Sequence, residues 1–161
     1  MIRPATPADA AEIAALWNPF IRDTTTTFNA TEKTSADIAA LIQTRASSGH
    51  TTLVAQDGAL AGFATYAQFR GGVGYATCME HTIVLAPAAQ GRGTGRALLT
   101  ALEIHARHAG AHQMIAGVSA ENPDGIAFHV RLGYVLVATI PQAGRKFDRF
   151  IDLVLIQKFL S

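Results

Sequence analysis

Midway along the chain an apolar run, Ile83-Val84-Leu85, meets Pro87, and three alternating glycines, Gly91, Gly93 and Gly95, follow at once. Beyond them Leu98, Ala101, Leu102, His105 and Ala109 recur at helical spacing until Gly110. Proline halts a strand and glycine ends a helix, so the segment reads as strand, short connection, helix. Glycine admits unusual backbone angles and lets a ligand approach the main chain closely. The helix start adds unpaired N–H groups and partial positive charge, which suit a phosphate or pyrophosphate. Arg92 and Arg96 supply formal charge beside it. Taken alone, the loop also reads as a flexible connection with solvated arginines.

Two common phosphate loops do not match. A P-loop ends in Gly-Lys-Ser/Thr, whereas Gly95 is followed by Arg96-Ala97. A dinucleotide fingerprint needs glycine at 96 and follows the first strand of a doubly wound sheet. Here the loop comes after strands that read as antiparallel. Thr51–Gln56 and Leu60–Phe69 flank the turn Asp57-Gly58, a strong hairpin signal, and a third strand runs from Ala76 to Leu85. Ahead of them, Thr6 caps a helix with Pro7 in its first turn and Ala10, Ile13, Ala14 and Trp17 inward, until Pro19 interrupts it. A second helix spans Ser35–Ala46. After the loop and its helix, Gln113–Val118 reads as a strand, Pro123–Leu132 as a helix, and Tyr134–Ile140 and Phe150–Phe159 as strands. The pattern predicts a mixed α/β sheet flanked by helices, in one domain over residues 1–161.

Composition narrows the function classes. Apolar residues make up 49% of the 161 and charged residues 16%, as in a globular chain able to bury a core. A net charge of +1 offers no broad footprint for nucleic acid or an acidic membrane. No apolar run is long enough to span a bilayer and the N-terminus lacks a signal-peptide core, so the expected address is the cytoplasm. Cys78 is the sole cysteine, and the six histidines show no ligand spacing, so neither disulfide nor metal is expected.

Gln90-Gly91-Arg92-Gly93-Thr94-Gly95 resembles the pyrophosphate-binding signature Gln/Arg-x-x-Gly-x-Gly/Ala of the GNAT superfamily of N-acetyltransferases. The likeness extends to the branch of phosphinothricin and methionine sulfoximine acetyltransferases. It is carried by Trp17-Asn18, Thr24 to Phe28, Phe69-Arg70, Glu80 to Leu85, Asn122, His129 to Tyr134 and Lys146 to Asp152, in order along the chain. The resemblance implies a mostly antiparallel sheet with a splayed central strand pair, and acetyl-coenzyme A as acetyl donor. It also implies a small amino-acid-like amine as acceptor, direct transfer in a ternary complex, and a homodimer. Acetylation of a protein N-terminus or lysine, and a non-catalytic acyl-coenzyme-A-binding regulatory domain, are the alternatives.

The resemblance gives individual residues their expected roles. Ile83, Val84 and Leu85 would pair with the pantetheine arm through their backbone, and an apolar run halted by Pro87 is consistent with free backbone groups. Gln90 through Arg96 (Gln90, Gly91, Arg92, Gly93, Thr94, Gly95, Arg96) would hold the pyrophosphate. Glu80 occupies the general-base position; an ammonium must lose a proton before its nitrogen attacks a thioester. Without the flanking motif it reads as a surface glutamate. His81, on the opposite face of the strand, is a polar pocket group or a core-edge histidine. Asn122-Pro123 has the form of a helix N-cap, and the resemblance adds a hydrogen bond to the coenzyme arm. His129 would lie near the leaving sulfur, donating to it or merely packing on its helix. Cys78 reads as a small buried hydrophobe or pocket liner, not a nucleophile. Arg70 would grip the acceptor's acidic end, with Phe28 and Tyr75 as walls. Gly71-Gly72-Val73-Gly74 replaces a bulkier loop, and Ala76 replaces an arginine frequent in relatives, so the expected grip is altered.

Overall fold

A computed structural model describes residues 1–161. Seven strands form one sheet: β1 (Ile2–Pro4), β2 (Thr52–Asp57), β3 (Ala59–Gln68), β4 (Cys78–Leu85), β5 (Gln113–Ser119), β6 (Val135–Lys146) and β7 (Arg149–Phe159). Four helices accompany them: α1 (Ala10–Asp23), α2 (Ser35–Ser47), α3 (Thr94–His108) and α4 (Pro123–Arg131). The strand order is β1-β2-β3-β4-β5-β7-β6, and every pairing is antiparallel except β4 with β5. No helix is long and apolar enough to cross a membrane.

Alternation along the strands sends residues to two cores. Leu53, Ala55, Ala64, Tyr66 and Met79 join Leu98, Leu99 and Leu102 of α3 on one face. Val54 and Phe63 join Ile13, Trp17 and Ile21 of α1 and Ile38 of α2 on the other. A period of two in the strands and of about 3.6 in the helices produces this sorting. Asp57 and Gly58 close the β2–β3 hairpin, Gly58 taking φ +75°.

Three elements differ from the sequence expectation. The helix begun after Thr6 does not stop at Pro19 but runs to Asp23. Pro19 and Ala15, whose carbonyl loses its donor, are both exposed, so water serves that group while burial of Ile21 holds the next turn in place. Ile2–Pro4, too short to register as a strand by pattern, pairs with Leu53–Ala55. The strand expected to end at Ile140 continues as β6 to Lys146, past register shifts after Leu136 and Ile140 that interrupt its alternation.

Candidate active site

The parallel pair β4–β5 holds together for only three residues, Cys78↔Gln113, Met79↔Met114 and Glu80↔Ile115. Beyond Glu80, β4 stays paired with β3 as far as Leu85, while β5 turns away and pairs with β7 through Ser119. From His81 to Leu85 the edge of β4 facing β5 therefore has no strand partner. A cleft of about 930 Å³ opens in the splay. The apolar run did not need a fully paired neighbour, because Phe63 and Val84 pack on the α1 side and Ile83 and Leu85 on the α3 side.

One end of the cleft lies at the start of α3. Gly91 and Gly93 take φ +72° and +84°, a region that costs any side-chain-bearing residue energy. No side chain caps α3, no acidic residue lies in its first turn, and Ala97 N is the first of its amides recorded bonding back, to Gly93 O. The earlier N–H groups stay available to an anion. Gln90, Gly91, Gly93, Gly95 and Arg96 line this end, joined by Arg131 from α4. Gly95 is a glycine for another reason: a Cβ there would stand 2.8 Å from Leu85 Cδ1 and 3.1 Å from the Phe128 ring. Arg92 is exposed, and Thr94 starts the helix; neither lines the cleft.

Asn122 serves α4 as N-cap, its Oδ1 accepting from Gly125 N at 3.0 Å, and it also lines the cleft. The cap occupies the oxygen alone, leaving the amide nitrogen as a donor. His129, one turn further, donates from Nδ1 to Gly125 O at 2.7 Å, which fixes its neutral tautomer. Its Nε2 is buried without a partner, as are both nitrogens of His81. The two imidazoles stack at 5.0 Å, and Tyr134 meets both edge-on. Burial, then the His129 charge, push the His81 pKa down to about 3; burial also lowers that of His129, against the pull of Gly125 O and Glu103. Behind the rings Tyr134 Oη donates to Glu103 Oε1 at 2.9 Å and Lys158 Nζ to Glu103 Oε2 at 2.7 Å. At neutral pH both histidines carry no charge, so His129 presents a lone pair and not a proton at Nε2.

Glu80 stands where the strands part. Its register partner is Ile115, and its Oε2 reaches over Gly117, two residues along β5. The residue is exposed by area, yet its carboxyl has enough protein around it for desolvation to raise its pKa above the ordinary glutamate value. His81 points the opposite way, as strand alternation requires. Cys78 is half-buried, its thiol pushed up by burial and by Glu80, which suits a liner better than a nucleophile.

Aromatic side chains from the other layer close this end: Trp17 and Phe20 of α1, and Phe28 of the following loop. That loop is tied to the C-terminal hairpin. Lys146 Nζ donates to Thr27 O at 2.9 Å, Glu121 accepts from Thr25 Oγ1 and pairs with Arg149, and Phe28 packs where a side chain on Gly144 would stand. Arg70 and Tyr75 lie elsewhere. Both are exposed on the β3–β4 connection, the guanidinium 5.7 Å from the Tyr75 ring, and neither lines the cleft.

Sequence reading did not single out Gly117, Leu153, Phe128, Arg131 or Phe20 as site residues. Phe128 and Arg131 share a helical face with His129's turn, a signal the pattern contained. Gly117 and Leu153 carry no such signal, since only the splay turns that part of β5 and β7 into a cleft floor.

A family model described as the acetyltransferase (GNAT) family matches residues 14–134. An L-methionine sulfoximine/L-methionine sulfone acetyltransferase of Salmonella typhimurium is 43% identical over 79 residues, 49% of this chain and 46% of that protein. The match thus spans a little under half of that relative. A phosphinothricin acetyltransferase of Sinorhizobium meliloti, solved in complex with acetyl-CoA, superposes with TM-score 0.94 at 31% identity, over 100% of this chain and 88% of that one. A ribosomal-protein-alanine N-acetyltransferase of Brucella melitensis superposes with TM-score 0.94 at 34% identity, over 99% of each chain.

Proposed function

Because the chain belongs to the acetyltransferase (GNAT) family, we propose that it transfers the acetyl group of acetyl-coenzyme A directly to the α-amino group of a small amino-acid-like substrate. The observation that carries this reading is the position of Glu80, a carboxylate of raised pKa that ends the β4–β5 pairing and, though not itself in the cleft lining, borders it over Gly117. Acetyl-coenzyme A supplies an acyl group activated as a thioester.

The chain's residues fit that donor. The uncapped start of α3, with Gly91 and Gly93 in left-handed turns and Arg96 and Arg131 alongside, offers amides and cations to a pyrophosphate. The open edge of Ile83, Val84 and Leu85 offers alternating N–H and C=O groups to the amides of a pantetheine arm, as an added strand would use them. Asn122 contributes its free amide donor. Glu80 takes the proton from the acceptor's ammonium, and desolvation, which raises its pKa, makes it a better base than an ordinary glutamate. His129 stays neutral, its one proton committed to Gly125 O, so it orients the sulfur end as a polar wall and is not the resident proton donor. The aromatic wall of Trp17, Phe20 and Phe28 excludes water from the reacting end.

Likeness to a ribosomal-protein-alanine acetyltransferase favours a second reading, a peptide N-terminal α-amine as acceptor. One assay distinguishes them: release of coenzyme A thiol with single amino acids, methionine sulfone, phosphinothricin, polyamines and alanine-starting peptides. Turnover on the amino acids and sulfone above that on peptides supports the first reading; the reverse order supports the second. No turnover on any amine overturns both.

For the assembly we propose a two-fold homodimer formed through β6 and β7. β6 is an edge strand, and Leu136, Val137, Ile140 and Phe150 expose large apolar side chains there.

A further inference from the structure

The geometry points to Gly117 as a specificity-determining residue that leaves a hollow beside the base for an uncharged side group of the acceptor; this rests on the acetyl-transfer reading above. A Cβ built on Gly117 would stand 3.5 Å from Glu80 Oε2, 3.3 Å from Leu153 Cδ1 and 3.9 Å from Leu155 Cδ2. A methyl there would already touch all three, so the missing side chain leaves a narrow hollow, open to the cleft, with one carboxylate wall and two aliphatic walls. Gly117 is exposed in the cleft, and its neighbours along β5, Ala116 and Val118, turn to the opposite core.

Nothing in the backbone calls for glycine there. Its φ lies outside the left-handed region, and it sits inside a regular strand, opposite Leu155. Glycine at such a place weakens a strand by roughly 0.5–1 kcal/mol relative to alanine. What it leaves in return is space next to Glu80. An ammonium held by that carboxylate puts the substituent on its own α-carbon within reach of Leu153 and Leu155.

The lining fixes the chemistry of that substituent. The two cations that tie the Thr24–Phe28 loop are engaged: Arg149 with Glu121, and Lys146 with the Thr27 carbonyl. Arg96 and Arg131 belong to the α3–α4 end, and Arg70 lies outside the lining. An anionic group would enter a hollow walled by two leucines with a carboxylate beside it, at a cost in desolvation and repulsion. The acceptor class is thus an α-amine with a neutral, mainly apolar side group.

The test is a steady-state series of coenzyme A thiol release with alanine, leucine, methionine, methionine sulfone and glutamate, on wild type, Gly117→Ala and Gly117→Val. A valine is a good strand residue, and the nearest atom it meets is the mobile end of Leu153, so the variant keeps its fold. Wild type should favour leucine, methionine and the sulfone over glutamate. Gly117→Val should raise KM for those larger neutral acceptors about tenfold or more, and that for alanine by less than about threefold. Gly117→Ala should fall between. The melting-temperature rise caused by acetyl-coenzyme A should stay the same in all three. A Gly117→Val profile parallel to wild type, or loss equal on every acceptor, overturns the inference while the acetyltransferase reading stands. A wild type inactive on every amine overturns both.

Discussion

Gly91, Gly93 and Gly95 look equivalent in sequence, yet the structure gives them two different tasks. Gly93 sits at φ +84° with nothing within 4 Å of where a Cβ would be, while Gly95 is pressed by Leu85 and Phe128. Gly93→Ala should cost about 1 kcal/mol of stability for the left-handed backbone, and Gly93→Leu about the same, because the space is open. At 95 the cost should grow with side-chain size, from about 1 kcal/mol for alanine to about 3 or more for leucine. Chemical denaturation without ligand checks this; a Gly95→Leu as stable as Gly93→Leu would contradict it. The motif told where a phosphate belongs and not which glycine serves backbone and which serves packing. Asn122 was legible as a cap from Asn-Pro alone, and the structure records that cap. His81 and His129 were not legible as a stacked pair, since they come from β4 and α4 and meet only through the fold.

Among elements, the loop from Thr24 to Phe28 brings Phe28 to the cleft without secondary structure of its own. Its order comes from β6 and β7, through Lys146, Gly144, Glu121 and Arg149. The Glu121 carboxyl, held at about 2 chiefly by Arg149, stays ionised throughout the working range of pH. Lys146 is buried, and burial lowers its pKa; the Asp23 charge and the bond to Thr27 O compensate. Lys146→Met should loosen the wall. We expect acceptor KM to rise about three- to tenfold, the worth of one such hydrogen bond, with kcat and the KM for acetyl-coenzyme A little changed. An unchanged acceptor KM would show that the wall stands without the tie. Sequence periodicity placed α2, α3, β2 and β3 within a residue or two, because each has one apolar face or an alternating pattern. It missed the extension of α1 past Pro19 and of β6 past Ile140. In both, tertiary contacts at Ile21 and at the β7 ladder override the local signal.

For the whole molecule, the strand, turn and helix from Ile83 to Ala109 were legible in the residue pattern, whereas the β4–β5 fork was implied only by the family resemblance and the strand order by neither. The proposed acceptor hollow was not legible at all, because Glu80, Gly117, Leu153 and Phe28 come from four separate segments. The exposed apolar face of β6 and β7 should bring two chains together: light scattering at micromolar protein should give twice the chain mass, and Val137→Glu with Phe150→Glu should give the monomer. A wild-type monomer mass would reject this. In the proposed mechanism Glu80 accepts the acceptor's proton where β4 and β5 part, and the pH dependence of kcat/KM for wild type and Glu80→Gln tests this most directly. Desolvation raises the Glu80 pKa, so the wild-type rate should fall as pH drops through a value above the ordinary glutamate range. Glu80→Gln should lose about a hundredfold or more at neutral pH, lack that acidic limb, and recover toward wild type at high pH, where the amine is already deprotonated. Its melting-temperature response to acetyl-coenzyme A should stay intact. A Glu80→Gln enzyme as active as wild type at neutral pH, with the same acidic limb, would contradict the account.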